Sequence, residues 1–177
     1  MRLNVCLAAL AATLVASPAL AQVVTPAPIT DSDQATARGV VLGAHSLKKA
    51  RDLDFGVVSV DPVTGGDVSV AAASTATAVA TGGVTVLTST SSSAEFDGSA
   101  APNEQVALTL SGPGTTSVQD GAGHSIPVSL ALDAAGATRN ADSQGGFTVW
   151  VGGTFTIAGG QAPGVYTNLF TLTAEYQ

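Results

Sequence analysis

Period-2 alternation recurs along this chain in short runs cut by glycine and proline, and no apolar stripe of helical spacing competes with it. The clearest run closes the sequence, from Gln161 to Gln177. Pro163-Gly164 signals a turn. Tyr166, Phe170, Leu172, Ala174 and Tyr176 then fall on one face, and Thr167, Thr171, Thr173 and Glu175 on the other, with Asn168 alone breaking the apolar side. Aromatic and aliphatic residues alternating with threonine read as a half-buried β-strand. Phe147 to Ile157 is the second strong run, with Phe147, Val149, Val151, Phe155 and Ile157 on one face and Thr148, Trp150, Thr154 and Thr156 on the other. Gly152-Gly153 in its middle suggests a bulge. Gly159-Gly160 then predicts a turn that joins the two runs as an antiparallel, hairpin-like pair.

Weaker runs precede them. Short strands are predicted at Ala37 to Leu42, Leu47 to Arg51, Val57 to Val60, Val68 to Val70, Val84 to Val86, Ala94 to Gly98, Val106 to Leu110 and Ile126 to Leu132. Leu53 and Phe55 share a face, and Gly56 permits a bulge or a close backbone approach. Pro127 cannot donate to a ladder and marks an edge or a strand start. The stretch from Gly112 to Gly123 and that from Asp133 to Gly145 read as loops. Ala71 to Ala80 has the alanines of a helix, but serine and threonine dilute them, and a loop or a strand continuation fits better. A sheet with one polar face must bury the other against a second layer, so the predicted class is all-β: an immunoglobulin-like antiparallel β-sandwich of about seven to nine short strands.

The first 21 residues carry the pattern of a cleaved signal peptide: Arg2, the apolar run Leu3 to Ala16, the helix breaker Pro18 and the small-residue site Ala19-Leu20-Ala21. Residues 22–36 then read as a flexible leader, because Pro26 and Pro28 forbid regular structure, and 37–177 as the sandwich domain. After cleavage no cysteine remains, since Cys6 is the only one. Disulfides and thiolate chemistry are thereby excluded, and burial with sheet hydrogen bonding must hold the domain. Five basic residues (Arg38, Lys48, Lys49, Arg51, Arg139) against thirteen acidic ones leave a net charge of −8, which repels nucleic acid. Four of the five lie between Arg38 and Arg51, interleaved with Asp52 and Asp54, and read as a solvated strand face.

Little in the sequence points to catalysis. His45 and His124 are the only histidines. No acid stands in sequence to orient either ring, no serine sits on a nucleophile elbow, and the spacing makes no zinc site. Asp31 and Asp33 lack the further oxygens that calcium requires. No catalytic residue, metal or cofactor is expected. Trp150, on the outward strand face, is the one candidate platform for a sugar.

Several segments together resemble a family of small exported bacterial proteins, the domain of unknown function DUF4402. They are Leu53-Asp54-Phe55-Gly56, the strand Gly66 to Val70, Ala94-Glu95-Phe96-Asp97-Gly98, Phe147 to Phe155 with its Gly152-Gly153, and Gln161, Gly164, Tyr166 and Tyr176 at the end. The last strand also resembles the C-terminal motif of chaperone–usher pilins: Gly164 is the fourteenth residue from the end, Tyr176 is penultimate, and Phe170, Leu172 and Ala174 alternate between them. That resemblance implies an incomplete sandwich of a Gram-negative bacterium. Its groove would be filled first by a periplasmic chaperone and then by the N-terminal extension of another subunit. The expected groove residues are Gly164, Tyr166, Phe170, Leu172, Ala174 and Tyr176. The expected donor lies within residues 22–41, on the face of Val23, Ala27 and Ile29 or on that of Ala35, Ala37, Gly39 and Val41.

The function expected on this basis is a non-enzymatic, exported structural subunit, fimbrial or otherwise surface-assembled, that associates with itself or with a chaperone and usher in the periplasm or at the outer-membrane surface. The alternative is a monomeric periplasmic or secreted binding module for a glycan, which requires a terminal strand partnered on both edges and an exposed Trp150.

Overall fold

Twelve strands and one turn of 3-10 helix, Pro113–Thr115, make up the regular structure of the described residues. The computed structural model describes residues 43–88 and 90–177, together with positions 38, 39 and 41. Almost all of them belong to one compact unit, residues 40–177. The strands are β1 Ser46–Arg51, β2 Val58–Val60, β3 Gly66–Val70, β4 Ala78–Ala80, β5 Val84–Val86, β6 Ala94–Ser99, β7 Gln105–Ser111, β8 Ser117–Gln119, β9 Ser125–Leu132, β10 Thr138–Asn140, β11 Gly146–Ile157 and β12 Thr171–Tyr176. All pairings are antiparallel. The chain is an all-β sandwich, as the alternation predicts.

The longest strand, β11, is the spine. One of its edges takes β6 along Gly146 to Val151 and then β3 along Gly153 to Ile157, while the other takes β9 from Val151 to Phe155. β1 extends the sheet beyond β6, β4 extends it beyond β3, and β8 pairs with the start of β9. The second layer is the sheet β10-β7-β12, and β2 and β5 form a separate ribbon. The inward residues of β11 named from the sequence are all buried. They divide between two clusters. Phe147, Val149 and Val151 pack with Phe96, Val106, Leu108, Leu172 and Ala174, and Phe155 and Ile157 pack with Val68, Val84, Ile126 and Val128. Each fully buried valine of this kind contributes about 1.5–3 kcal/mol.

Four expectations are corrected. The strand count is twelve because β4, β8 and β10, three residues each, lie in stretches that read as loops or, for β4, as a loop or a strand continuation. Strands this short carry no alternation of their own and are created by the neighbours that pair with them. The terminal strand begins at Thr171, not soon after the Pro163-Gly164 turn, and it does not pair with β11. Its partner is β7 in the other sheet, and residues 158–170 cross between the layers to reach it. Gly152-Gly153 forms no bulge, because the register with β9 runs straight through both. Gly152 instead permits close approach by the backbone of Val70 to Ala72, where a Cβ would collide. Finally, Arg38, Gly39 and Val41 lie in no strand. The other residues of the predicted 37–42 strand, like the signal peptide and leader, fall outside the described residues.

Candidate functional site

The candidate site is the edge of β12 that faces away from β7. β12 lies at the margin of β10-β7-β12, and among the described residues its only strand partner is β7. Alternation carries through as read: Leu172 and Ala174 are buried, Thr171, Thr173 and Glu175 exposed, and Tyr176 half-buried. The phase of the ladder follows from one bond. The Gln177 N–H donates to the Gln105 carbonyl at 3.3 Å, so Thr171, Thr173 and Glu175 direct their backbone groups to β7. Leu172, Ala174 and Tyr176 direct theirs to the open edge. That edge therefore presents a row of donors and acceptors beside side chains already seated in the core.

β1, the margin of the first sheet, borders the same side of the sandwich. Leu47 packs against the first core cluster, which Phe170 and Tyr176 also flank. At one end of the seam the Tyr176 phenol donates to the Gly43 carbonyl and accepts from the Ala101 N–H, both at 2.7 Å. Its ring meets His45 edge-on at 5.3 Å. Toward the other end Phe96 meets Phe170 edge-on at 6.1 Å. Lys49 stands opposite Phe96 in the β1–β6 ladder, so it leaves the sheet on the face that Phe96 buries. A charged residue pointing inward at a sheet margin blunts that margin against pairing. Lys49 keeps 54% of its side chain exposed and bonds Asp52 at 2.6 Å.

Of the six residues expected to line the groove, four come together here: Phe170, Leu172, Ala174 and Tyr176. Tyr166 packs instead on the second core cluster, with its phenol donating to the Ala162 carbonyl and accepting from Gln161. Gly164 lies at an exposed turn against Asp120. The crossing segment is fastened to β8 by paired backbone bonds between Gln119 and Thr167 and by Asn168 Nδ2 donating to the Ser117 carbonyl. This pulls Gly164 and Tyr166 away from the seam. Leu169, just before Phe170, gives its carbonyl to the Gly114 N–H and leaves its side chain 82% exposed near the start of β12.

Two pairings escaped the sequence reading. Asp120 Oδ2 lies 2.6 Å from His124 Nδ1, so an acid does orient that ring. The hydrogen bond from His124 holds the Asp120 carboxyl below the usual carboxylate range, against an opposing effect of burial. The D-x-x-x-H spacing within one glycine-rich turn was the available signal. Asp133 and Arg139 form a buried ion pair; Arg139 also donates to the Gly136 and Thr138 carbonyls, and Asp133 accepts from the Trp150 N–H at 3.0 Å. That clasp grips the β9-side edge of β11, whose outward face carries Trp150. Trp150 is half-buried, with its indole nitrogen out of solvent and without a hydrogen-bond partner. A shallow concavity of about 410 Å³ on that face is lined by Ser69, Val79, Ala131 and Thr154 over Gly152 and Gly153, and Trp150 is not part of it. Among the described residues no three His, Cys, Asp or Glu side chains gather in a way that could hold a metal ion, and no helix is long and apolar enough to cross a membrane.

The family model for DUF4402, a domain of unknown function, matches residues 46–176, from the first residue of β1 to the last of β12. The chain belongs to the DUF4402 family. The match takes in both margins of the seam. No curated protein and no solved structure matches the chain.

Proposed function

We propose that this DUF4402 chain is an exported, non-enzymatic structural subunit that assembles at the cell surface by strand addition to the open edge of β12. The observation that carries the reading is the margin that no strand among the described residues pairs with. The backbone groups of Leu172, Ala174 and Tyr176 point away from β7, on a strand whose alternate side chains are already buried. An incoming extended segment gains ladder hydrogen bonds along this edge, and specificity comes from the side chains it lays over the core. The exposed Leu169 adds apolar surface nearby. The donor is the N-terminal segment within residues 22–41 of another subunit. The glycan-binding alternative requires a second partner for β12 and an open Trp150 ring; among the described residues β12 has one partner, and Trp150 is half-buried.

Electron microscopy of cells expressing the chain with and without residues 22–41 tests the reading. Filaments or surface arrays that depend on the segment support it. Assemblies that persist unchanged after its deletion exclude the donor role.

A further inference from the structure

We propose that Lys49 is the selectivity residue of the seam, recognising the acidic pair Asp31 and Asp33 of a second copy's N-terminal segment and thereby orienting that segment parallel to β12. This rests on the strand-addition reading and adds to it the chemistry and direction of the partner.

The argument begins with position. Lys49 shares a face with Phe96, and Phe96 meets Phe170, so the lysine stands toward the start of β12. Tyr176 closes the other end against Gly43 and His45. The other cations of β1 point elsewhere: Lys48 is opposite Asp97 on the outer face, and Arg51, beyond the irregularity in the ladder, is bonded to Glu95 at 3.1 Å. Among the described residues, the titratable groups placed beside the seam are Lys49 with its neighbour Asp52 at one end, His45 and Tyr176 at the other, and Glu175 on the outward side of β12. The Lys49–Asp52 pair is exposed on both sides, so exchanging one carboxylate for another costs little.

The sequence of the N-terminal segment supplies the complement. Asp31, Asp33, Ala35, Ala37, Gly39 and Val41 are all odd-numbered and share one face of an extended chain, with the acids ahead of the apolar run. Seating Ala35 to Val41 beside Leu172 and Ala174 brings the acids to one end of the seam. Only the parallel direction brings them to Lys49. The antiparallel direction places them at Tyr176, His45 and Gly43, where β1 offers no lysine or arginine. Charge pairing of this kind acts mainly on encounter rate and register, and salt weakens it.

The test uses the full chain expressed in cells, scored by filament number and by cysteine cross-linking between copies. Lys49→Glu alone, and Asp31→Lys with Asp33→Lys, are each expected to slow assembly about tenfold at low salt. Combining all three is expected to restore it to within about twofold. Unchanged circular dichroism of the purified variants shows that the substitutions leave the fold intact. Cysteines at Ala35 and the exposed Ala50, which leave Lys49 and both acids in place, are expected to cross-link between copies, and cysteines at Ala35 and Gly43 are not. If deletion of residues 22–41 abolishes assembly while the charge variants assemble normally, or if the Ala35–Gly43 pair cross-links, strand addition stands and the role of Lys49 is overturned. If the deletion leaves assembly unchanged, both fall.

Discussion

The Tyr176 hydroxyl donates to the Gly43 carbonyl at 2.7 Å, tying the penultimate residue to the chain just ahead of β1. The same oxygen accepts from Ala101, so one phenol joins both layers of the sandwich at one end of the seam. Tyr176→Phe keeps the ring against His45 and removes both bonds. It leaves the part-buried Ala101 N–H unpaired, while the exposed Gly43 carbonyl turns to water, and is expected to lower stability by about 1–3 kcal/mol in urea unfolding.

Gly98 lies directly under the Phe147 ring, and a Cβ built on it would overlap that ring. Gly98→Ala forces Phe147 off its seat in the first core cluster and is expected to cost about 1–3 kcal/mol. Phe147→Leu in the same chain relieves part of the clash, so a double-mutant cycle should show clear non-additivity.

Gly164→Ala is expected to do little. Its Cβ meets Asp120 at ordinary contact distance, 3.4 Å or more, and the position is exposed. Unfolding within about 0.5 kcal/mol of the parent and unaltered assembly would place this glycine outside the partner edge. Lost assembly would restore it to the groove.

Removing one member of the buried Asp133–Arg139 pair strands the other. Arg139→Met is expected to cost about 3–5 kcal/mol, and the double replacement with Asp133→Asn markedly less. Trp150 fluorescence reports the change, because Asp133 holds the Trp150 backbone.

Three aspartates predict acid sensitivity, Asp61 and Asp142 exposed and Asp120 largely covered. The N–H groups of Thr64 and Val63 lower the Asp61 carboxyl, those of Gly146 and Gln144 lower Asp142, and the His124 ring lowers Asp120. A carboxyl depressed in the folded state contributes stability that is fully present above its unfolded value of about 3.9. That contribution is lost as pH falls through the folded value. Thermal melting is therefore expected to hold from neutral pH to about pH 5 and to fall below about pH 4. Asp142→Asn should flatten that acid slope, and an unchanged slope would remove Asp142 from the account.

The all-β class, the inward face of β11 and the alternation of β12 were legible in the sequence, because burial on one face imposes a period of two that neighbours along the chain record. Phe147, Val149 and Val151 needed no structure to be placed inward. The partner of β12 was not legible. Gly159-Gly160 predicts a local hairpin, but local turn chemistry says nothing of which sheet receives a strand after a crossing segment. The bonds from Gln119 and Ser117 to Thr167 and Asn168 decide that, between residues some fifty positions apart. For the same reason the even spacing from Gly164 to Tyr176 could not show that Gly164 and Tyr166 pack elsewhere. Lys49 reads as one more solvated base until the ladder sets it opposite Phe96. Sequence fixes which face of a strand is apolar through its own repeat. Which edge stays open depends on long-range pairing, and only the tertiary structure decides it.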